Sequence, residues 1–137
     1  MISHCDLELL ARNFSRHNIG FFKFNDREEV LAYLQSNLNQ TMQIAWGGSV
    51  TLNECGILDY LRREKFPRLC DRDNPELSEE ERMEIGRKAF SADVFLTSAN
   101  AITEDGLIVN IDGAGNRVVA TIFGPKKVYF IFNHYFV

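Results

Sequence analysis

The sharpest chemical feature of the sequence is a glycine turn, Gly47-Gly48-Ser49, between an apolar segment and a predicted helix. Two glycines let the backbone approach a ligand closely, and the first turn of a helix presents unpaired N–H groups and a positive dipole. We therefore expect a phosphate or carboxylate here, with Ser49 and Thr51 as donors and Asn53 nearby. The alternative is structural, because two glycines also make a tight turn and Thr51 also caps a helix. The spacing is that of neither the P-loop nor the dinucleotide fingerprint.

A second group of polar side chains follows the apolar segment 94–97 and extends to residue 117. Loops at the carboxyl ends of parallel strands line the ligand crevice, so we expect this group to meet the glycine turn. Glu104, Asp105 and Asp112 are its candidate acids or bases, metal ligands or acceptors for a substrate hydroxyl. The opposing interpretation is that Asp105-Gly106 and Asp112-Gly113 are ordinary turn dipeptides. The candidate ligand-binding residues of this group are Ser98, Asn100, Thr103, Glu104, Asp112, Gly113 and Asn116.

The cysteines and histidines do not predict a metal centre. Cys5, Cys55 and Cys70 are widely spaced and form no C-x-x-C pair, so neither a disulfide framework nor a zinc or iron–sulfur site is indicated. We expect plain thiols and no cofactor or metal bound by this chain. Trp46 is expected to pack in the core, and the two lysines at 126–127 are expected to be solvated charges at a strand end.

The elements that position these residues follow from periodicity and capping. Leu7, Leu10 and Phe14 belong to an apolar helical stripe, and Ser78 with Glu81 has the spacing of a capping box. The pattern predicts helices over about 4–17, from 26, over 52–63 and over 78–89, and strands over 21–24, 42–46, 94–97, 107–111 and 127–137. Residues 117–123 fit either a strand or a short helix, and the strands 94–97 and 107–111 either pair or diverge. Alternating strands and helices predict a layered α/β fold, with a largely parallel sheet and helices on both faces.

Length, composition and charge indicate one globular domain. The chain has 137 residues, of which 45% are hydrophobic and 25% charged, values typical of a globular domain. A net charge of −4 gives no attraction to nucleic acid or to anionic lipid. The N-terminus resembles no signal peptide and no apolar run has the length of a membrane span, so we expect a cytoplasmic protein without a membrane partner.

Four long segments together resemble the LUD domain, a family that includes lactate-utilisation proteins. The resemblance extends over most of residues 20–128. It is carried by AWGGSVTLNECGI at 45–57, SADVFLTSANAITEDG at 91–106, NIDGAGNRV at 110–118 and FGPKKV at 123–128. Relative to the family, the chain is expected to be short at both ends.

The resemblance implies both a fold and a context. The fold would be similar to that of ribose-phosphate isomerase, glucosamine-phosphate deaminase and the CoA transferases, with the glycine turn and strand-end loops forming the ligand cleft. The context would be the oxidation of L-lactate to pyruvate beside partner proteins that bear iron–sulfur clusters. Because this chain has no cluster ligands of its own, any redox cofactor would lie in a partner.

Three functional hypotheses follow. The first is a ligand-binding regulatory or assembly subunit of a lactate-utilisation system, with an anionic small molecule at Gly47-Gly48-Ser49. The second is an enzyme acting on a phosphorylated sugar or a CoA thioester, with Glu104 or Asp112 as acid or base. The third is a scaffold whose exposed final strand recruits the iron–sulfur partners by pairing or packing. Separately, because no predicted helix follows that strand, one face of the sheet is expected to need cover from another chain, which predicts a homo-oligomer.

Overall fold

The computed structural model describes residues 6–133. Helices and strands alternate along most of this range. In chain order the elements are α1 (Leu7–Arg16), α2 (Arg27–Asn37), β1 (Ile44–Trp46), α3 (Val50–Glu54), α4 (Ile57–Arg63), β2 (Leu69–Cys70), α5 (Glu79–Lys88), a 3-10 helix (Ala89–Ser91), β3 (Val94–Thr97), β4 (Ala101–Ile102), β5 (Ile108–Val109), α6 (Asn116–Ile122) and β6 (Lys127–Phe130).

Among residues 6–133, the central sheet has four strands in the order β2-β1-β3-β6, and every neighbouring pair is parallel. The register pairs Ala45 with both Cys70 and Phe95, and Phe95 with Val128. The remaining strands, β4 and β5, form a separate antiparallel pair. The predicted layered α/β fold with a largely parallel sheet is therefore confirmed.

Both faces of the sheet are covered because the side chains of β1 and β3 alternate between two apolar layers. Ile44 and Trp46 belong to the layer formed with α2, α3 and α4. Ala45 and Phe95 point the other way, into a layer completed by α5, α6 and the 3-10 helix. Every residue of β1 and β3 is buried, which is why these strands read as continuous apolar runs in the sequence.

The segment 21–24 does not form the strand that its aromatic pattern predicts. Its rings pack against helices instead. The Phe21 ring lies 6.0 Å from that of Phe14 on α1, and the rings of Phe22 and Phe24 lie 5.0 and 5.3 Å from that of Tyr33 on α2. Ring packing satisfies the aromatic side chains without a partner strand.

The predicted helix 52–63 is two helices, because the chain turns at Gly56. This residue has φ +69°, in the left-handed region, where glycine carries no Cβ penalty. The first helix, α3, starts two residues earlier than predicted and is capped by Ser49, whose Oγ accepts from Leu52 N. The predicted cap at Thr51 is therefore wrong.

Other elements resolve open predictions. The segment 117–123 is helical, as α6, and β5 diverges from β3 to pair with β4. The capping box of Ser78 and Glu81 is present at the start of α5. The two-residue strand β2 was not predicted, because two residues show no periodicity. The ends of the predicted first helix and last strand, at 4–5 and 134–137, lie outside the described residues. Among residues 6–133, no helix has the length and apolar composition needed to cross a membrane.

Candidate functional site

The glycine turn lies at the carboxyl end of β1, as predicted, and is fastened to β3. Gly47 N donates to Leu96 O at 3.0 Å. A Cβ added to Gly47 would lie 2.9 Å from Cγ and Cδ of Arg117 and 3.2 Å from Oγ1 of Thr97. Gly47 therefore leaves room for the Arg117 side chain to cross the turn. A Cβ on Gly48 would meet nothing within 4 Å.

The Arg117 guanidinium is held over this turn by neutral acceptors. Its Nη2 donates to Asn100 Oδ1 at 2.9 Å and to Ile111 O at 2.7 Å. Its Nη1 reaches Gly48 O only at 3.5 Å, the outer limit of a hydrogen bond. Within residues 6–133, no carboxylate forms an ion pair with this partly buried cation. The positive charge of Arg117 is thus positioned but not neutralised.

Asn100 and Asp112, two of the predicted site residues, build the support for Arg117. Asn100 Oδ1 also accepts from Ile111 N at 2.8 Å, so one amide oxygen fixes both the loop and the guanidinium. The Asp112 carboxylate accepts from the backbone N–H of Arg117 at 2.7 Å and of Val118 at 3.1 Å. Asp112 therefore satisfies N–H groups at the start of α6.

These contacts also determine the protonation of Asp112. Partial burial favours the neutral acid, but hydrogen bonds from the backbone N–H of Val118, Arg117 and Ala114 outweigh it and lower the pKa. The carboxylate is ionised at neutral pH, with its oxygens directed to the helix start.

A narrow cleft of about 10 Å³, room for about one water, opens beside the turn, between the carboxyl ends of the strands and the helices α5 and α6. We call it the strand-end cleft. Its polar groups are Arg72, which follows β2, and Asn116 with Arg117, which begin α6. The Arg72 side chain is 30% exposed, and its Nε lies 3.8 Å from Asp73 Oδ1, a long ion pair. The lining consists of Ala45, Trp46, Cys70, Arg72, Ile85, Gly86, Ala89, Phe95, Asn116 and Arg117.

Trp46 and its neighbours fix one wall of the cleft. The indole is buried, confirming the prediction that it packs in the core, and its Nε1 donates to Asp73 Oδ2 at 2.7 Å. The Arg62 guanidinium lies 5.7 Å from the indole ring centroid and pairs with Asp71 at 2.7 Å. The loop that carries Arg72 is therefore held from both sides.

The other predicted residues lie in two further places. On α3, Thr51 is buried and Asn53 is exposed. Glu104 contacts α1, where its Oε1 accepts from Asp6 N at 3.1 Å and its carbonyl accepts from Asn13 Nδ2 at 2.7 Å. Thr103 stabilises the same hairpin turn by accepting from Leu107 N. The described contacts join Glu104 and Thr103 to α1 and the hairpin, and do not join them to the glycine turn.

Two buried polar atoms have no hydrogen-bond partner among the described residues: Ser98 Oγ, which directly follows β3, and Asn110 Oδ1, which directly follows β5. Ser98 is 7% exposed. A buried hydroxyl without a partner is costly unless a water or ligand satisfies it. The role of Ser98 in binding a ligand stays a prediction. Gly113 is exposed in the loop before α6.

Neither Cys55 nor Cys70 is an activated thiol. Burial raises the pKa of both Cys55 and Cys70, so each is a neutral thiol at neutral pH. Within residues 6–133, no group of three His, Cys, Asp or Glu side chains comes together to hold a metal ion.

Sequence reasoning missed Arg72 and Arg117 as site residues. Arg117 did offer a signal, because it directly follows the polar glycine loop 112–116. Arg72 offered none, since it lies in a run of alternating charges that is typical of a solvated loop.

The fold and the cleft define a parallel α/β protein with a cationic pocket at its strand ends. The model of the LUD domain matches residues 7–134, and the chain belongs to this family. Neither a curated protein nor a solved structure matches it.

Proposed function

We propose that this chain binds a small organic anion in the strand-end cleft and acts as the ligand-binding subunit of a lactate-utilisation system. The observation that carries the proposal is the Arg117 guanidinium, which lies across the Gly47-Gly48 turn with neutral acceptors and without a carboxylate among the described residues. A cation in this state gains electrostatic energy from an incoming anion, and more so where the surroundings are partly desolvated.

The guanidinium suits a carboxylate or phosphate. It presents donors in a planar fork that matches two oxygens of one ligand group. Asn100 and Ile111 occupy Nη2, while Nη1 makes only the long contact to Gly48 O. The weakly engaged edge is available for the ligand. Arg72 lines the same cleft and supplies a second positive charge.

The apolar residues that line the cleft limit the size of the ligand. Trp46, Phe95 and Ile85 also line the cleft. Because the accessible volume is only about 10 Å³, room for about one water, we place the charged end of a small anion at the mouth of the cleft, against the Arg117 guanidinium. Family membership supports the lactate-utilisation context, whose substrate and product are small carboxylates. In this proposal the redox chemistry belongs to iron–sulfur partner proteins.

The test is thermal unfolding of the purified chain against L-lactate, pyruvate, inorganic phosphate, sugar phosphates and CoA. A ligand at 100 times its Kd should stabilise the folded chain by about 2.7 kcal/mol, a rise in Tm of roughly 5–10 °C. Arg117→Gln should abolish the shift, because it removes the charge and the fork. The matched control is Arg63→Gln, an exposed position at the end of α4 that should keep it. A full shift in the Arg117 variant would refute the proposal.

The enzymatic alternative, acting on a phosphorylated sugar or CoA thioester, stays a prediction. The contacts of the two candidate carboxylates do not favour it, since Asp112 receives backbone N–H groups and Glu104 contacts α1. Turnover of a sugar phosphate by the isolated chain, lost on Glu104→Ala, would support the enzyme instead. The expected homo-oligomer also stays a prediction, for which the exposed Ile122 and Phe123 at the end of α6 offer an apolar contact surface.

A further inference from the structure

A second charged surface lies at the opposite edge of the sheet, where the four parallel strands begin. It is a groove of about 460 Å³ that we call the basic groove. Its charged residues are Arg68, which precedes β2, Asp93, which precedes β3, and Lys126 and Lys127 at the start of β6. Its remaining surface includes Met42, Val94 and Tyr129. The strand-end cleft shares no lining residue with it.

The groove carries three cations and one carboxylate, although the whole chain carries a net charge of −4. Asp93 lies between two of the cations. Its Oδ1 accepts from Lys126 Nζ at 2.7 Å, and its Oδ2 lies 3.7 Å from Arg68 Nη1. The Lys126 hydrogen bond, with a second from Gln43 N, lowers the pKa of Asp93, which therefore neutralises one of the three cations at neutral pH.

Arg68 and Lys127 also contact neighbouring groups of the chain. Arg68 donates to Thr41 O at 3.1 Å and to Gln43 Oε1 at 3.0 Å. Lys127 Nζ lies 5.4 Å from the ring centroid of Tyr129, a cation–π contact. Among residues 6–133, no carboxylate forms an ion pair with Lys127. The side chains of Arg68 and Lys126 are 55% and 79% exposed, so their remaining N–H groups are accessible to a partner.

The position of Asp93 decides the kind of anion. The point where Arg68 and Lys126 converge is already occupied by the Asp93 carboxylate, so a single small anion has no place between them. A peptide with several carboxylates can instead place a separate carboxylate beside each of Arg68, Lys126 and Lys127. Met42 and Tyr129 offer apolar contacts to the stems of its side chains.

We propose that the basic groove binds an acidic peptide segment of a partner protein. Exposed ion pairs are individually weak and screened by salt, so binding is modest and falls steeply with ionic strength. The groove would then attach the chain to its partner while the strand-end cleft stays open to its ligand.

The test measures binding of a fluorescently labelled oligoglutamate peptide to the full chain by anisotropy. We expect binding at about 0.01 M salt and its loss near about 1 M. Lys127→Gln should weaken it roughly threefold, and the Lys126→Gln/Lys127→Gln double variant roughly tenfold. The matched control is Arg12→Gln, which removes the same charge from an exposed position on α1.

Three results would overturn this proposal. The first is no binding at low salt, and the second is equal weakening by Arg12→Gln. The third is displacement of the peptide by inorganic phosphate at a concentration equal to that of the peptide's carboxylate groups, which would mean that the groove binds small anions. Arg117→Gln should leave peptide binding unchanged, so failure of the strand-end cleft and failure of the basic groove are distinguishable. Circular dichroism of each variant establishes that it is folded.

Discussion

At the scale of single residues, the adjacent glycines Gly47 and Gly48 have different structural roles. Gly47 leaves space for the Arg117 stem, whereas Gly48 faces open space. Gly47→Ala should displace Arg117 and abolish the ligand-induced rise in Tm, at a stability cost of about 1–3 kcal/mol from overpacking. Gly48→Ala is the control and should retain the rise. Equal behaviour of the two variants in the ligand titration would contradict the assigned role of Gly47.

Asp112 makes a residue-scale prediction about pH. Its folded pKa is below the ordinary value near 3.8, so its contribution to stability is complete above the unfolded pKa and is lost as pH falls through the folded pKa. Asp112→Ala should cost about 1 kcal/mol at pH 7, the usual effect of removing a side chain that accepts from N–H groups at a helix start. The difference from the wild type, measured by urea unfolding, should shrink as the pH falls below the ordinary value near 3.8 and through the folded pKa. A difference that stays the same as the pH falls would count against an ionised cap.

Arg117 also shows why the site was only half predictable. Gly47, Asn100 and Asp112 were selected because their residue types and strand-end positions are local properties of the sequence. The role of Arg117 arises from contacts with Gly48, Asn100 and Ile111, and the first of these lies 69 positions away along the chain. No window of sequence contains that information.

At the scale of elements, two glycines in helical surroundings should respond oppositely to alanine. Gly56 has φ +69° at the start of α4, so Gly56→Ala should destabilise the chain by about 1–2 kcal/mol. Gly86 lies inside α5 with nothing within 4 Å of an added Cβ, so Gly86→Ala should stabilise it by about 0.5–1 kcal/mol. Urea unfolding measures both. Changes of the same sign would contradict the helix break at Gly56.

The same scale explains which elements were predicted. The strands β1 and β3 were recognised because both of their faces are buried, so every position is apolar. The prediction of a strand over 21–24 was wrong because the same run of aromatic residues is compatible with two arrangements. Its rings can face a neighbouring strand, or they can pack on the helices α1 and α2, as they do here. Packing partners, rather than propensity, decide such segments.

At the scale of the whole molecule, the parallel sheet keeps the two proposed binding sites apart. All carboxyl ends lie at one edge, with Arg117 and the cleft, and all amino ends lie at the other, with the basic groove. Substitutions far apart and without shared partners act additively. The effects of Arg117→Gln and Lys127→Gln should therefore be separable in one double variant.

The contact between Arg117 and the glycine turn also determines when, during synthesis, the cleft can form. During synthesis, Gly47 emerges long before Arg117, and the cleft exists only after both have been made and brought together. A nascent chain that ends before residue 117 has the turn but lacks the cation that would hold an anion there. Under the proposed function, ligand binding would therefore require the finished fold, and a small anion would bind the newly made protein only after α6 has packed on the sheet.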